Sequence, residues 1–218
     1  MGKSLQTKTK ELVYDAIDDL SDEFGIDCSV YPEVYYAYKG FSFNRIGIPE
    51  NEREEFEGIY YFEKNIILLS NQNPAYIYEE AGHFLHYNYS GLKYEKMGSL
   101  DVLCAQAIVE AVGFFCSKLE DSSRKPIFGN YPDFFKEREK CLKIINDTGF
   151  DKNSFFMYQQ GYGIGEELFN HYISGLISKE KIRSLMSKKF ERRYESTYEF
   201  IKLKRLFDKD FFFDEKIC

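Results

Sequence analysis

Apolar residues recur at helical spacing from the start of the chain. Leu12, Val13, Ala16, Ile17, Leu20 and Phe24 form one stripe along residues 4–24, with Asp15, Asp18 and Asp19 elsewhere, which predicts an amphipathic helix ending near Gly25. The pattern then changes. Residues 26–47 are rich in Val, Tyr and Phe and are interrupted by Pro32 and Gly40, so they predict short strands. The stretch "PENEREEFEG" that follows reads as an exposed acidic loop or helical turn. From Gly58 to Ser70, two apolar runs flank Glu63-Lys64-Asn65, a hairpin pattern with Asn65 at the tight position.

After "SNQNP" the helical period returns. Asn73 suits an N-cap and Pro74 the first helical position, and the helix runs to about Tyr87 before Ser90-Gly91 stops it. A second starts near Ser99, with Asp101 in its first turn, and continues through "VLCAQAIVEAVGFFCSKL". Further helices are predicted over "YPDFFKEREKCLKIIND", "GEELFNHYISGLIS", "SKEKIRSLM" and "STYEFIKLKRLF". Strands near the N-terminus followed by a run of helices indicate an α+β fold, not an alternating parallel one.

Composition narrows the class. With 44% hydrophobic residues and 18% Phe or Tyr in 218 residues, the chain is not disordered and can bury a sizeable core. A net charge of −7 argues against wholesale nucleic-acid binding. Residues 179–209 depart from this, with 11 Lys/Arg against 5 Asp/Glu, as on the solvated face of surface helices. The five cysteines, Cys28, Cys104, Cys116, Cys141 and Cys218, include no CxxC pair, which favours a reducing compartment. The N-terminus lacks a signal-like apolar run, and no stretch reads as a membrane span. A cytoplasmic location without a membrane partner is the expectation.

The chemistry concentrates in "YIYEEAGHFLHYNY", residues 76–89, which holds two of the three histidines. Glu79 and His83 are one helical turn apart, the spacing by which a helix offers two ligands to one metal ion, and His86 lies on the same face. Glu80 is adjacent, where a carboxylate can polarise a metal-bound water and carry its proton. Glu80-x-x-His83 also has the spacing of a carboxylate-bridged di-iron motif. No second Glu-x-x-His exists, since His171 follows Glu167 by four residues.

The helix "EEAGHFLHY" differs at one position from H-E-A-G-H, and with its surroundings it resembles the zincin metallopeptidases of the gluzincin type, in size and layout the compact minigluzincins. The hairpin "YYFEKNIILLS" resembles the sheet-edge strand ahead of the active-site helix. "IVEAVGFF" is similar to the glutamate-centred motif that supplies the third metal ligand, here Glu110, 27 residues beyond His83. "YQQGYGIGEELFNHYISG" resembles the Tyr-then-Gly helix start that closes such domains. The resemblance covers residues 58 to 178. It implies a zincin-like domain over 1–178, with N-terminal helix and strands in 1–72, active-site helix in 73–90 and third-ligand helix in 99–120. A basic helical extension over 179–218 would follow.

By the same resemblance, Glu79, His83 and Glu110 would hold a divalent metal, zinc in the first instance, with His86 a candidate additional ligand. Glu80 would be the general base, and Tyr162 or His171 would stabilise the oxyanion, with Tyr158 competing with Tyr162. A peptide or protein is the implied partner, added as a strand along the hairpin edge. The departure is Glu79 in place of histidine. Two histidines and a glutamate leave a zinc site at plus one, whereas Glu-His-Glu leaves it neutral, acidifies bound water less and suits harder ions such as Mn²⁺. Two outcomes stay open on the sequence: a metal-dependent hydrolase, or a catalytically inactive protein of this fold that binds a peptide or partner.

Overall fold

The computed structural model describes residues 4–38, 41–48, 57–94, 97–126 and 132–213. The acidic stretch 49–56 and Cys218 lie outside them. The first helix, α1 (Leu5–Phe24), starts where the Ser4 side chain accepts the Thr7 N–H and ends at Gly25 in the left-handed conformation (φ 61°). Its apolar stripe packs on the helix that follows the sheet and on the first strand.

The sheet has three strands, β1 (Glu33–Tyr36), β2 (Gly58–Tyr61) and β3 (Ile66–Leu69), in the order β1-β3-β2. β3 pairs parallel with β1 and antiparallel with β2, so the sheet is mixed. All four residues of the central strand are buried, in keeping with an unalternating Ile-Ile-Leu-Leu run. The hairpin turn places Asn65 at φ 53°, a conformation asparagine tolerates, and its amide donates to the Tyr31 carbonyl. Of the strands expected over 26–47, β1 is the only one among the described residues, and Gly40 lies outside them. Phe43–Ile46 is a 3₁₀ turn closed by Gly47 at φ 70°.

Among the described residues six further helices follow the sheet, and three of them pack on one central member. α2 (Pro74–Ser90) has the expected Asn73 cap and Pro74 start and ends at Gly91 (φ 62°). α3 (Ser99–Glu120) packs against α2, against α5 (Lys152–Ile173) and against α7 (Glu195–Phe207). α3 is long and apolar enough to cross a membrane by length and composition, contrary to the sequence expectation, but most of that stretch is buried inside the protein. Asp101 in its first turn caps α7 across the core, accepting the Tyr194 N–H at 2.7 Å, the Thr197 hydroxyl at 2.8 Å and the Ser196 hydroxyl at 3.0 Å.

Two helix boundaries differ from the sequence pattern. α4 begins at Arg138, not near residue 131, because Asp133 accepts the Phe135 and Lys136 N–H groups in a turn and Phe134 is buried. α5 begins at the Asp151 cap, well before Gly165, and carries Gly161, Gly163 and Gly165 in its interior. Gly161 is there for close approach. A Cβ on it would lie 2.4 Å from Glu110 Cβ on α3. α6 (Lys179–Met186) contacts α1 and α2, and Ile182, Leu185, Phe200 and Leu203 of the last two helices join the same hydrophobic core. The described fold is α+β: a small mixed sheet and a mostly helical C-terminal part.

Candidate metal centre

α2 and α3 bring the three expected ligands together. Glu79 and His83 lie on successive turns of α2, and Glu110 faces them from α3. One ligand atom from each lies within 4.8 Å of the others, and His83 Nε2 is 3.8 Å from Glu110 Oε2. The α2–α3 crossing is tight because Gly113, one turn beyond Glu110, has no side chain. A Cβ there would lie 2.2 Å from His83 Cε1.

These residues fit a divalent cation. A tetrahedral site with ligand bonds of about 2.1 Å holds its ligand atoms about 3.4 Å apart, close to the His83–Glu110 separation. Among the described residues, Glu79 Oε1 is buried with no hydrogen-bond partner, and so is Glu80 Oε2. Burial keeps the His83 ring below its ordinary pKa despite the opposing charge of Glu79 and the Val109 backbone, so the ring is neutral, the form that ligates. Burial, then the Glu79 charge, pushes the Glu110 carboxyl well above the usual range. Carboxylates crowded out of water in this way favour a cation.

Glu80 points toward the sheet. The Ser70 N–H donates to the Glu57 carbonyl, which makes Glu57/Ser70, Ile59/Leu68 and Tyr61/Ile66 the hydrogen-bonded pairs and turns the main chain of Gly58 and Tyr60 outward along the β2 edge. The Tyr60 N–H donates to the Glu80 carboxylate. Burial, followed by the charges of Glu79 and Glu110, holds the Glu80 carboxyl well above its ordinary pKa, against Arg124 and the Tyr60 N–H.

A cleft of about 500 Å³ opens over this cluster, bounded by the β2 edge, α2, α3 and α5. Tyr60, Tyr76, Tyr87 and Tyr94 line it, together with Tyr158 and Tyr162. Tyr162 is buried and stacks on Phe114 with ring centroids 4.7 Å apart. Burial and the Glu79 and Glu110 charges raise its hydroxyl well above the ordinary tyrosine range, so it remains a donor.

Two of the sequence candidates are elsewhere. His171, at the far end of α5, is not among the cleft residues; its Nδ1 is 2.9 Å from the Glu167 carbonyl and its ring is 4.9 Å from Phe207. His86 is fully buried, does not line the cleft, and has no hydrogen-bond partner at either ring nitrogen among the described residues. Burial, then the His83 charge, brings its pKa down to about 3.

The sequence reading passed over Arg124. Its Nη2 is 2.5 Å from Glu79 Oε2, with the two side chains 10% and 5% exposed. Its Nη1 donates to the Ala75 carbonyl at 3.3 Å, and its guanidinium sits over the Tyr76 ring at 4.5 Å. The available signal was indirect: a buried Glu79 needs a partner, and "DSSRKP" follows α3 directly. No known protein family matches the chain, and no curated protein or solved structure matches it either.

Proposed function

We propose that this protein binds a divalent metal ion through Glu79, His83 and Glu110 and hydrolyses peptide bonds, as a zincin-type peptidase with glutamate in the first ligand position. The convergence of these three side chains, with buried Glu79 Oε1 left without a hydrogen bond among the described residues, carries the reading. A bound ion would supply Lewis-acid activation of water and of the substrate carbonyl.

The chain's own residues supply the rest. Gly58 turns its main-chain groups and Tyr60 its carbonyl outward along β2, an edge to which an extended peptide adds as a strand, while the Tyr60 N–H is taken by Glu80. Glu80 lies between that edge and the ligand cluster, and its carboxyl, easily protonated in this environment, is suited to accept a proton and pass it on. Tyr162 presents a hydroxyl that stays protonated and can donate to an oxygen gaining charge. Aromatic walls give the substrate side chains an apolar surface.

Elemental analysis of protein purified without chelators tests the metal, with about one equivalent of a transition metal expected and its loss expected in the H83A/E110Q variant. A library of fluorogenic peptides tests the chemistry. E80Q should keep the metal and lose at least about 100-fold in turnover, the range of general acid–base catalysis. Protein that stays metal-free in excess Zn²⁺ and Mn²⁺ would refute the proposal. A metal-loaded protein in which E80Q changes nothing would leave the inactive, partner-binding alternative.

A further inference from the structure

Arg124 pairs with Glu79 and is not itself one of the three ligands. It donates to the Ala75 carbonyl, one turn toward the N-terminus of α2, whereas His83 lies one turn toward the C-terminus. It therefore lies beside Glu79 at the edge of the ligand cluster, where it also lines the cleft. Glu79 is divided between the two directions. Oε2 receives the guanidinium, and Oε1 is the buried oxygen without a hydrogen-bond partner among the described residues.

The arginine is held from its own main chain outward. Its N–H donates to the Asp121 carbonyl at 3.1 Å, and its carbonyl accepts from Lys118 Nζ at 2.9 Å. Lys118 is anchored by Glu166 at 3.4 Å. The Asp121 side chain accepts the Ser123 N–H and hydroxyl, which closes the turn leading to Arg124. Tyr76 and Phe114 flank the guanidinium. A side chain so fixed at both ends is preorganised to orient what it touches.

From this we infer that Arg124 is a positioning residue that lets a glutamate serve where an imidazole would otherwise be expected: it takes Oε2, leaves Oε1 alone to face the cation, and returns the positive charge that the carboxylate removes. The inference rests on the metal-binding reading above. A divalent ion with Glu79, His83 and Glu110 is formally neutral, and with Arg124 counted it carries plus one, the charge of a two-histidine, one-glutamate site. Glu79 and Arg124 therefore work as a pair, and histidine at position 79 is compatible with the site only when position 124 is uncharged.

The test is a two-by-two cycle of the purified full chain, wild type, E79H, R124M and E79H/R124M, with R124K as the conservative variant. Zn²⁺ dissociation constants come from chelator competition, and visible spectra from Co²⁺-loaded protein. E79H alone should bind Zn²⁺ at least tenfold more weakly than E79H/R124M, because it leaves a buried guanidinium facing an imidazole and a cation. R124M should lower the Co²⁺ absorption intensity as freed Oε2 joins the coordination, and R124K should keep the wild-type spectrum. Equal Zn²⁺ affinity of E79H and E79H/R124M, together with an R124M spectrum identical to wild type, overturns the inference and leaves the metal site standing. Wild-type protein that binds neither ion overturns the metal site and the inference with it. If E79H does not fold, R124M and R124K decide: a wild-type spectrum in R124M overturns the inference.

Discussion

Gly113→Ala isolates the packing on which the ligand cluster depends. The new Cβ would lie 2.2 Å from His83 Cε1, where ordinary carbon contacts are about 3.5–4.0 Å, so one partner must retreat by roughly 1.3 Å or more. Both helices are buried and the imidazole is the more movable part. That displacement exceeds the roughly 0.5 Å within which a site must be held to work. Overpacking costs about 1–3 kcal/mol, partly offset by the about 0.5–1 kcal/mol that alanine gains over glycine within a helix. The melting temperature should fall by no more than about 10 °C, since each kcal/mol moves a chain of this size by about 2–4 °C. Metal affinity should fall much further, by more than about 100-fold, because losing an outer partner alone costs about 10–100-fold and here a ligand is displaced. Gly163→Ala is the matched control: that glycine is exposed on α5 with nothing within 4 Å, so the variant should be neutral or slightly more stable and bind metal normally. Calorimetric titration of both variants decides the matter. Wild-type metal affinity in Gly113→Ala would falsify the argument that this glycine sets the His83 position.

Two further predictions concern stability. His86 titrates near 3 in the fold and at about 6.5 when unfolded, so stability present above pH 6.5 is lost as the pH falls toward 3. Between pH 6.5 and 5 the loss is about 2 kcal/mol, or roughly 4–8 °C, and His86→Leu should abolish it; parallel thermal melts of the two proteins would rule this out. Asp101→Asn sets an amide group against the Tyr194 N–H and should cost about 1–3 kcal/mol, read as a lower urea midpoint at unchanged slope. An unchanged midpoint would mean that α7 does not depend on this cap.

The sequence disclosed what depends on near neighbours. Asn73 and Pro74 marked the start of α2, Asn65 the hairpin turn, and the Glu79–His83 spacing the pair that shares a helix face. Glu110 was found through its resemblance to a motif, since no local rule places a residue of α3 against α2. What depends on distant partners was hidden. The three glycines of α5 read as a helix start because glycine weakens helices, yet Gly161 is required by Glu110 of another helix. Arg124 could not be assigned to Glu79 without the fold, as 45 residues separate them. Likewise, the sequence offered His86 as an additional ligand and His171 as an oxyanion donor, while packing sealed one in the core and left the other beside Phe207.

The central position of α3 also sets a timetable for assembly. Its apolar flanks are covered by α2, made earlier, and by α5 and α7, which lie 32 or more residues further along the chain. A growing chain on the ribosome therefore carries this helix covered by α2 alone until residues 152–207 emerge, the interval in which it is most exposed to aggregation or chaperone capture. Glu110 sits on the flank that α5 closes, with Gly161 against its Cβ. The ligands themselves come from α2 and α3, but the wall that α5 lays against Glu110 is completed only later, so a cation held in the closed site would mark a chain already extended past residue 173.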